Sequence, residues 1–288
     1  MYSERFEYFR PKTLAEASQL LKKHKGARLL AGGHSLLPAM KLRLASPKAL
    51  VDIGRIKGLC GIAKRGKAIW IGATTIHADV AASALLQKSC PVLSEAAAQI
   101  GDIQVRNRGT IGGSIAHADP AADLPTVLIA LGASVVAKGA KGERKIPAGK
   151  FFVDLFTTAL KPGEIVTAVL VAPQGKGTGA AYSKHPHPAS RFAVAGAAAV
   201  VTLRNGLCES ASLVVGGTTA NPVRIVAAEQ ILAGRKLDAA AIAKAADQVA
   251  GALSDPLGDS YASGEYRVHL ARVLSQRALT AAVERARA

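Results

Sequence analysis

The stretch Ala31-Gly32-Gly33-His34-Ser35 guides the interpretation of this sequence, because it places paired glycines directly after a predicted short strand at residues 28–31. Paired glycines leave room for backbone amides to converge on an anion such as a diphosphate. The pattern is not the Rossmann fingerprint, since the third glycine is absent, and it is not a Walker loop, since no Gly-Lys-Ser/Thr follows. On its own, this first glycine loop (residues 31–38) leaves an ordinary tight turn open as the alternative.

A second glycine loop, residues 108–117, repeats this chemistry in Gly112-Gly113-Ser114. Together the loops favour a dinucleotide diphosphate held between subdomains, since hydroxyl groups add donors to the backbone amides. The expected hydroxyl donors are Ser35, Thr110 and Ser114. Asp123 lies just beyond, where it either accepts hydrogen bonds from ribose or ribityl hydroxyls or serves as an acid in the first turn of a helix. Arg106 and Arg108 either neutralise the diphosphate, meet an acidic partner or are surface cations.

The remaining pattern predicts an α+β chain of three units, residues 1–55, 56–175 and 176–288, with a linker at residues 173–177. The first unit is βαβ-like, and its helix at residues 13–24 begins with a capping box of Thr13 and Glu16. In the last unit, Asn205-Gly206 predicts a hairpin between neighbouring strands. The expected strands and helices are strands at residues 50–53, 68–72, 164–171, 194–203 and 207–215, a hairpin at residues 134–146, and helices at residues 76–87, 91–100, 123–131, 223–232, 239–253 and 265–286.

The composition describes a globular chain, because 288 residues with 49% hydrophobic content can bury a substantial core. The formal net charge of +17 favours acidic partners, and nucleic acid is the first class to consider. The basic residues are spread along the chain, however, and aromatic residues amount to only 4%, so nucleic acid is not expected as a partner. A solvated basic surface and a docking face for an acidic subunit remain as the alternatives.

The cysteines and the hydropathy pattern give expectations about redox state and location. Cys60, Cys90 and Cys208 lie far apart, without the spacings that build a zinc site or an iron–sulfur cluster, so we expect separate reduced thiols. Any cluster that supplies electrons must then belong to another chain.

The longest nearly apolar stretch, residues 192–203, is too short to span a bilayer, so we expect no transmembrane segment. We expect a cytoplasmic location, and peripheral membrane association through a complex is left open.

Several motifs together resemble a known family. The first glycine loop, the stretch Thr110-Ile111-Gly112-Gly113 and its continuation His117-Ala118-Asp119-Pro120 are similar to the flavin motifs of the FAD-binding medium subunits of the molybdenum hydroxylases, the xanthine dehydrogenase family. The similarity is greatest to the medium subunit of aerobic carbon monoxide dehydrogenase and covers nearly the whole chain. The resemblance implies a fold of the para-cresol methylhydroxylase and vanillyl-alcohol oxidase (PCMH/VAO) type, with N-terminal and middle α/β FAD-binding subdomains followed by a C-terminal domain of antiparallel sheet and helices.

The resemblance also implies which residues contact the cofactor. By position, the expected FAD-binding residues are Ala31, Gly32, Gly33, His34, Ser35, Leu36, Ile100, Gly101, Thr110, Gly113, Ser114, His117, Asp123, Val166 and Lys184. Within this set, Ile100 and Gly101 are expected near the flavin ring, Val166 near the adenine, and Lys184 near the polar edge of the ring. His34 is expected to be positional. No side chain is assigned as nucleophile or general base, because the cofactor carries the chemistry.

The segment after Lys184 departs from the pattern of similar proteins. Arg191 stands where they usually carry an acidic residue, which bears on the geometry beside the flavin, while Phe192 is expected to pack on the ring. His185 and His187 are separated by Pro186 and have no acidic or thiol residues beside them. We therefore interpret them as part of a rigid loop rather than as metal ligands.

The resemblance implies an oxidoreductase subunit that carries FAD and transfers electrons. Such a chain passes electrons from [2Fe–2S] clusters on an iron–sulfur small subunit to an external acceptor, in a complex whose large subunit holds the molybdopterin cofactor. A dimer of such heterotrimers is the expected assembly. The alternatives are a self-contained NAD(P)H-dependent flavoreductase of the same fold and a basic binding protein without flavin. The sequence does not specify the substrate, because the substrate reacts on another subunit.

Overall fold

The structure of the chain is a computed structural model that describes residues 2–288. The strands in chain order are β1 (Glu7–Phe9), β2 (Arg28–Leu30), β3 (Ala49–Asp52), β4 (Ile62–Arg65), β5 (Ala68–Gly72), β6 (Ser134–Gly139), β7 (Gly142–Pro147), β8 (Phe152–Asp154), β9 (Thr157–Thr158), β10 (Ile165–Val171), β11 (Thr178–Pro186), β12 (Ala193–Arg204), β13 (Leu207–Gly216) and β14 (Val223–Arg224). The helices are α1 (Leu14–Lys23), α2 (Leu36–Lys41), α3 (His77–Ala82), α4 (Ala84–Ser89), α5 (Pro91–Ala98), α6 (Ile103–Arg106), α7 (Ile111–His117), α8 (Asp123–Ala130), α9 (Val226–Leu232), α10 (Ala239–Ala246), α11 (Val249–Ala252) and α12 (Gly264–Arg287).

The N-terminal sheet has the order β1-β3-β2, and both of its strand pairs are parallel. Strands that run parallel need crossover connections, and here α1 lies between β1 and β2 while α2 lies between the neighbours β2 and β3. The α1 helix begins as predicted, because the Thr13 hydroxyl accepts a hydrogen bond from the Glu16 amide at 3.1 Å. The buried faces of Ala17 and Val51 form a small core beneath β2. This sheet fixes the end of β2, from which the first glycine loop starts.

The middle of the chain is built on an antiparallel sheet of order β4-β5-β10-β6-β7. Helices α5, α7 and α8 cover it, and their apolar residues join those of the strands in one core that includes Leu93, Ile115 and Leu128. The β6–β7 hairpin and strand β10 lie where the sequence pattern predicts them. Because α7 packs on β10, the second glycine loop is held at the edge of this core.

The C-terminal part is an antiparallel sheet of order β11-β12-β13-β14 with α12 packed along β11 and β12. The predicted hairpin is confirmed, because Asn205 and Gly206 both have positive φ, 52° and 78°, as a type I′ turn requires. Helix α12 lies very close to β11 at Gly179, where an added Cβ would be 2.0 Å from the Ala282 carbonyl oxygen. The expected α+β fold with a C-terminal antiparallel sheet and helices is therefore confirmed.

Helix α8 joins the middle and C-terminal parts, because its second face packs on β12 and β13. At Gly216 of β13 an added Cβ would be 2.0 Å from the hydroxyl oxygen of Thr126, which shows how closely the helix and strand approach. A further link joins α12 to α5, since the Arg285 guanidinium donates to the Glu95 carboxylate and the Ala180 carbonyl at 2.8 and 2.7 Å. This packing brings β11 close to the start of α8.

Some predicted helices are wrong in detail. The helix expected at residues 76–87 is two helices, α3 and α4, because Ser83 is extended and its hydroxyl caps α4. The helix expected at residues 223–232 begins as strand β14, and the one expected at residues 239–253 is divided into α10 and α11. Strand β11 was not predicted, although it carries Lys184. In each case packing against neighbouring elements overrides a weak local signal.

Candidate cofactor site

The first glycine loop presents a run of unpaired backbone amides. Among the described residues, no acceptor within hydrogen-bond distance is found for the amides of residues 32–36. The chain turns at Gly33, whose φ of 78° lies in the left-handed region that favours glycine. His34 supports the turn, because its Nδ1 lies 3.3 Å from the Gly32 carbonyl oxygen. Consecutive free amides around a left-handed residue form a concave site for an anion, as the sequence predicts for a diphosphate.

The glycine loops touch each other through their backbones. An added Cβ on Gly32 would lie 2.1 Å from the carbonyl oxygen of Arg108 and 2.9 Å from the Cα of Gly109. No side chain fits between the loops at this point. The sequence gives no sign of this contact, because Gly32 and Arg108 are 76 positions apart in the chain. Gly32 is thus required for the close packing of the loops.

The second glycine loop differs from the first, because most of its amides are already bonded within the protein. The amides of Ile111 and Gly112 donate to the carbonyls of Thr75 and Ala73 at 3.0 and 2.8 Å. The amide of Gly113 donates to the Thr110 hydroxyl oxygen at 3.1 Å, which caps α7. The second loop can therefore offer hydroxyl hydrogens and a close backbone surface, whereas the free amides come from the first loop.

The segment before the second loop is held by Arg106. Its Nη1 donates to the carbonyls of Ile100 and Gly101, at 2.9 and 3.1 Å. Gly101 has a φ of 49°, so this turn also depends on glycine. The guanidinium of Arg106 therefore fixes the turn expected near the flavin ring, while Arg108 is exposed and touches Gly32 through its backbone.

Asp123 lies at the first position of α8 and is almost fully buried. The Tyr182 hydroxyl donates to its Oδ1 at 2.6 Å, and the Lys184 ammonium donates to Oδ1 and Oδ2 at 2.9 and 3.0 Å. This carboxylate joins β11 to α8, so it links the C-terminal sheet to the middle of the chain. Asp123 is thus the helix N-terminal acid that the sequence offers as one interpretation. The donors to its carboxylate in the structure come from the protein, and acceptance of hydrogen bonds from ribose or ribityl hydroxyls stays a prediction.

The Lys184 ammonium is bonded on all sides. Besides Asp123, it donates to the carbonyl oxygens of Gln99 and Arg191, at 3.0 and 2.8 Å. Arg191 adopts a positive φ of 60°, which turns its carbonyl toward Lys184 while its side chain is exposed. The residue that departs from the usual acidic pattern thus takes part through its backbone. The positive charge of Lys184 is compensated locally by the Asp123 carboxylate.

Burial governs the electrostatics of this network. Loss of solvation raises the pKa of Asp123, while the nearby Lys184 charge and the hydrogen bond from Tyr182 oppose that rise. Burial, and then the negative charge of Asp123, raise the pKa of Tyr182 well above its ordinary value, so its hydroxyl stays protonated and acts as a donor. A paired, hydrogen-bonded arrangement is what allows a charged carboxylate to remain in this buried position.

Other predicted site residues lie in different surroundings. The His117 ring lies 5.0 Å from that of Phe156, centroid to centroid, at the end of α7. The Val166 side chain is only 5% exposed and belongs to the core of the middle sheet. Ser35 begins α2 without a side-chain hydrogen bond to it, so its hydroxyl stays available. Phe192 is 44% exposed at the end of the turn that follows β11.

Of the histidines expected in a rigid loop, His185 lies instead in strand β11, paired with Ala195, and His187 lies in the turn that follows. The Nδ1 of His187 accepts hydrogen bonds from the amides of Ala189 and Ser190 at 3.2 and 3.4 Å, and its ring packs against Tyr261. In residues 2–288 no group of three or more His, Cys, Asp and Glu side chains is arranged to hold a metal ion.

The cysteines are free thiols, with Cys60 exposed and Cys90 and Cys208 buried. No helix in the described part of the chain is long and apolar enough to cross a membrane.

Sequence reasoning missed Tyr182 and Gln99 as parts of the site. No motif in the sequence singles out Tyr182, because its buried hydroxyl gains a role only where β11 packs beside α8. Gln99 contributes a carbonyl oxygen, which any residue carries, so no sequence signal could have identified it. The residues that the structure gathers around the start of α8 are therefore more numerous than those predicted.

Comparisons with known proteins agree with this fold. The family described as "FAD binding domain in molybdopterin dehydrogenase" matches residues 4–173, and "CO dehydrogenase flavoprotein C-terminal domain" matches residues 180–282. The carbon monoxide dehydrogenase medium chain of Hydrogenophaga pseudoflava is 39% identical over 283 residues, 98% of each chain. The 6-hydroxypseudooxynicotine dehydrogenase complex subunit alpha of Paenarthrobacter nicotinovorans is 42% identical over 262 residues, 91% of this chain and 88% of the relative.

A solved structure gives the same result. A chain of the carbon monoxide dehydrogenase of Hydrogenophaga pseudoflava, in a form that lacks the Mo-pyranopterin moiety, superposes with a TM-score of 0.96 at 40% identity and 99% coverage of both chains. The free amides of the first glycine loop fit the diphosphate of FAD, so the residues present agree with the cofactor of the matching family. The chain therefore belongs to the FAD-binding medium subunits of the molybdenum hydroxylase family, an oxidoreductase family.

Proposed function

We propose that this chain is the electron-transfer subunit of a molybdenum hydroxylase complex, passing electrons from [2Fe–2S] clusters on a partner to an external acceptor. The observation that carries the proposal is the concave run of free amides at residues 32–36, held against the second glycine loop. Bound FAD supplies the ability to exchange electrons singly or in pairs.

The first glycine loop is proposed to bind the diphosphate. Its free amides and the Ser35 hydroxyl donate to anionic oxygens, and Thr110 and Ser114 of the second loop add hydroxyl donors. The remaining proposed contacts are Ala31, Gly33, His34 and Leu36 of the first loop, Ile100 and Gly101 in the turn held by Arg106, and Gly113, His117, Asp123, Val166 and Lys184. Buried Val166 can take part only through its backbone or after a shift of the core.

The Asp123–Lys184 pair is proposed to set the position of β11 relative to the cofactor. Because Lys184 is compensated by Asp123, the pair adds little net charge to the site. Both side chains are almost completely shielded from solvent, which excludes water from this part of the site. The proposed division of the chain at residues 55/56 and 175/176 places the glycine loops on different subdomains and Lys184 on the third.

The proposed partners are an iron–sulfur small subunit and a molybdopterin large subunit, assembled as a dimer of heterotrimers. The names of the relatives support this, because they are subunits of multi-chain dehydrogenases. Those relatives act on 6-hydroxypseudooxynicotine and carbon monoxide, so the substrate differs within the family. The cytoplasmic location stays a prediction.

The proposal can be tested by following the flavin absorbance of the purified chain without oxygen. Addition of the reduced iron–sulfur partner is expected to bleach the flavin, and NADH or NADPH is expected to leave it unchanged. Bleaching by NADH or NADPH with no response to the iron–sulfur partner would favour the self-contained flavoreductase instead. A matched reaction with the partner in its oxidised form controls for changes caused by binding alone.

A further inference from the structure

Arg108, the first residue of the second glycine loop, has an anchored backbone and a free side chain. Its amide donates to the Val105 carbonyl at 3.2 Å, and the amide of Gly109 donates to the same carbonyl at 2.7 Å. The Gly109 carbonyl accepts in turn from the His77 amide at 2.9 Å. The Arg108 side chain is exposed, and within residues 2–288 its guanidinium forms neither a hydrogen bond nor an ion pair. Arg108 is therefore held at a defined place while its charge is uncommitted.

That place adjoins the free amides of the first glycine loop. A Cβ added to Gly32 would lie 2.1 Å from the carbonyl oxygen of Arg108 and 2.8 Å from its carbonyl carbon. The other exposed cations near the loop in sequence, Arg28 and Lys41, stand at the ends of β2 and α2 that are remote from it. An arginine side chain is long and carries its N–H donors in a planar fork, so from this position it can reach an anion that the amides hold.

The other cations expected around the cofactor are already committed within the protein. The Arg106 guanidinium donates from Nη1 to two carbonyls of the preceding turn, at 2.9 and 3.1 Å. The Lys184 ammonium is paired with the Asp123 carboxylate at 2.9 Å. The sequence leaves Arg106 and Arg108 as equal candidates to neutralise a diphosphate, and the structure favours Arg108, whose charge is free.

Acidic side chains are scarce where Arg108 lies. Residues 17–51, which carry the first glycine loop, contain no aspartate or glutamate. Asp102, the acid nearest to Arg108 in the sequence, caps α6 by accepting a hydrogen bond from the Val105 amide at 2.8 Å. Backbone amides offer only partial positive charges to an anion, whereas an arginine adds a full charge and short, charge-assisted hydrogen bonds to phosphate oxygens. The site therefore combines a cradle of amides with one uncompensated cation beside it.

We propose that Arg108 neutralises the diphosphate of FAD at the first glycine loop and thereby selects a flavin that carries this group. The guanidinium donates to phosphate oxygens that also accept from the amides of residues 32–36. This inference rests on the proposed function, since it names a further residue of the proposed cofactor site. Arg108 binds and orients the cofactor and has no part in moving electrons.

The test is a fluorescence titration of the full chain, stripped of its cofactor, with FAD at low and at high salt. Arg108→Gln is compared with Arg235→Gln, because Arg235 is also exposed and free of ion pairs in the described chain but lies between α9 and α10. We expect Arg108→Gln to weaken FAD binding roughly tenfold at low salt, the effect of losing a charge-assisted contact at a partly exposed site, and Arg235→Gln to leave it unchanged.

Two further readouts separate loss of charge from damage to the loop. The difference between Arg108→Gln and the unaltered chain should narrow as the salt concentration rises, because salt screens the attraction between guanidinium and phosphate. Arg108→Lys keeps the charge without the planar fork, so it should recover part of the affinity. Thermal unfolding without FAD checks that each variant folds, and Arg108→Met takes the place of Arg108→Gln if the latter does not.

Each outcome has a distinct meaning. Equal FAD affinities of Arg108→Gln and Arg235→Gln overturn the role of Arg108 and leave the proposed function intact. A loss that is the same at both salt concentrations and is not recovered by Arg108→Lys also overturns it, because such a loss comes from the backbone contact rather than from the charge. If the unaltered chain binds no FAD even when produced together with its partners, the proposed function itself fails.

Discussion

Replacement of Gly32 by alanine tests the contact between the glycine loops. The added Cβ would lie 2.1 Å from the Arg108 carbonyl oxygen, and ordinary contact begins at 3.4 Å, so the loops must separate by more than an ångström. The opposing atoms are backbone, which cannot rotate away as a flexible side chain would. Overpacking of this kind costs about 1–3 kcal/mol, and a rigid neighbour places Gly32→Ala near the upper end.

The loops must be together to hold the cofactor, so we expect FAD affinity to fall by roughly 100-fold, the equivalent of about 3 kcal/mol. The assay is titration of the apoprotein with FAD, followed by flavin fluorescence, with thermal unfolding measured in parallel. Gly175→Ala is the matched control, because an added Cβ at Gly175 has nothing within 4 Å. If Gly32→Ala folds and binds FAD as tightly as Gly175→Ala, the loop contact does not support the cofactor site and the reasoning is refuted.

Further predictions concern buried polar groups and thiols. Tyr182→Phe removes a buried hydrogen bond and should lower the free energy of unfolding by about 1–3 kcal/mol. The control Tyr266→Phe, at a 46% exposed position, should leave the free energy of unfolding unchanged. Equal losses for the two variants in denaturant titrations would contradict this prediction. Burial lowers the pKa of His77 to about 4 from 6.5, so the folded state keeps it neutral. As the pH falls from 6.5 toward 4, His77 takes up a proton in the unfolded state but not in the folded state, which lowers the free energy of unfolding by up to about 3 kcal/mol. Above pH 6.5 this loss of stability is absent. His77→Gln should therefore show a flatter unfolding free energy between these pH values, and an unchanged slope would count against it. Exposed Cys60 should react with a disulfide reagent in the native protein, while Cys90, whose pKa burial raises to about 12, should react only after unfolding. Native reactivity that survives Cys60→Ser would show that a buried thiol is accessible.

The sequence was most informative where local chemistry decides the conformation. Asn205-Gly206 predicts its hairpin because both residues tolerate positive φ, and Thr13 predicts the start of α1 because its hydroxyl satisfies a free amide. The paired glycines of the first loop predict an anion site for the same reason, and its free amides agree with that prediction. These features depend on a few neighbouring residues, so they can be recognised without the fold.

Features that depend on distant parts of the chain could not be predicted in this way. The amides of Ile111 and Gly112 are taken up by the carbonyls of Thr75 and Ala73, which the loop sequence alone does not reveal. The helix expected at residues 76–87 breaks at Ser83. The network around Asp123 likewise exists only because β11 packs beside α8 and the turn at Arg191 directs a carbonyl inward. Tertiary packing, which a single sequence does not display, decides each of these.

The measurement that tests the central claim most directly is the visible absorption spectrum of the purified chain, followed by release and identification of the bound chromophore. The free amides of residues 32–36 and the family match predict a flavin spectrum, with FAD as the released compound. A colourless protein that takes up no added FAD, even when produced together with its partner chains, would contradict the assignment of the glycine loops as the cofactor site.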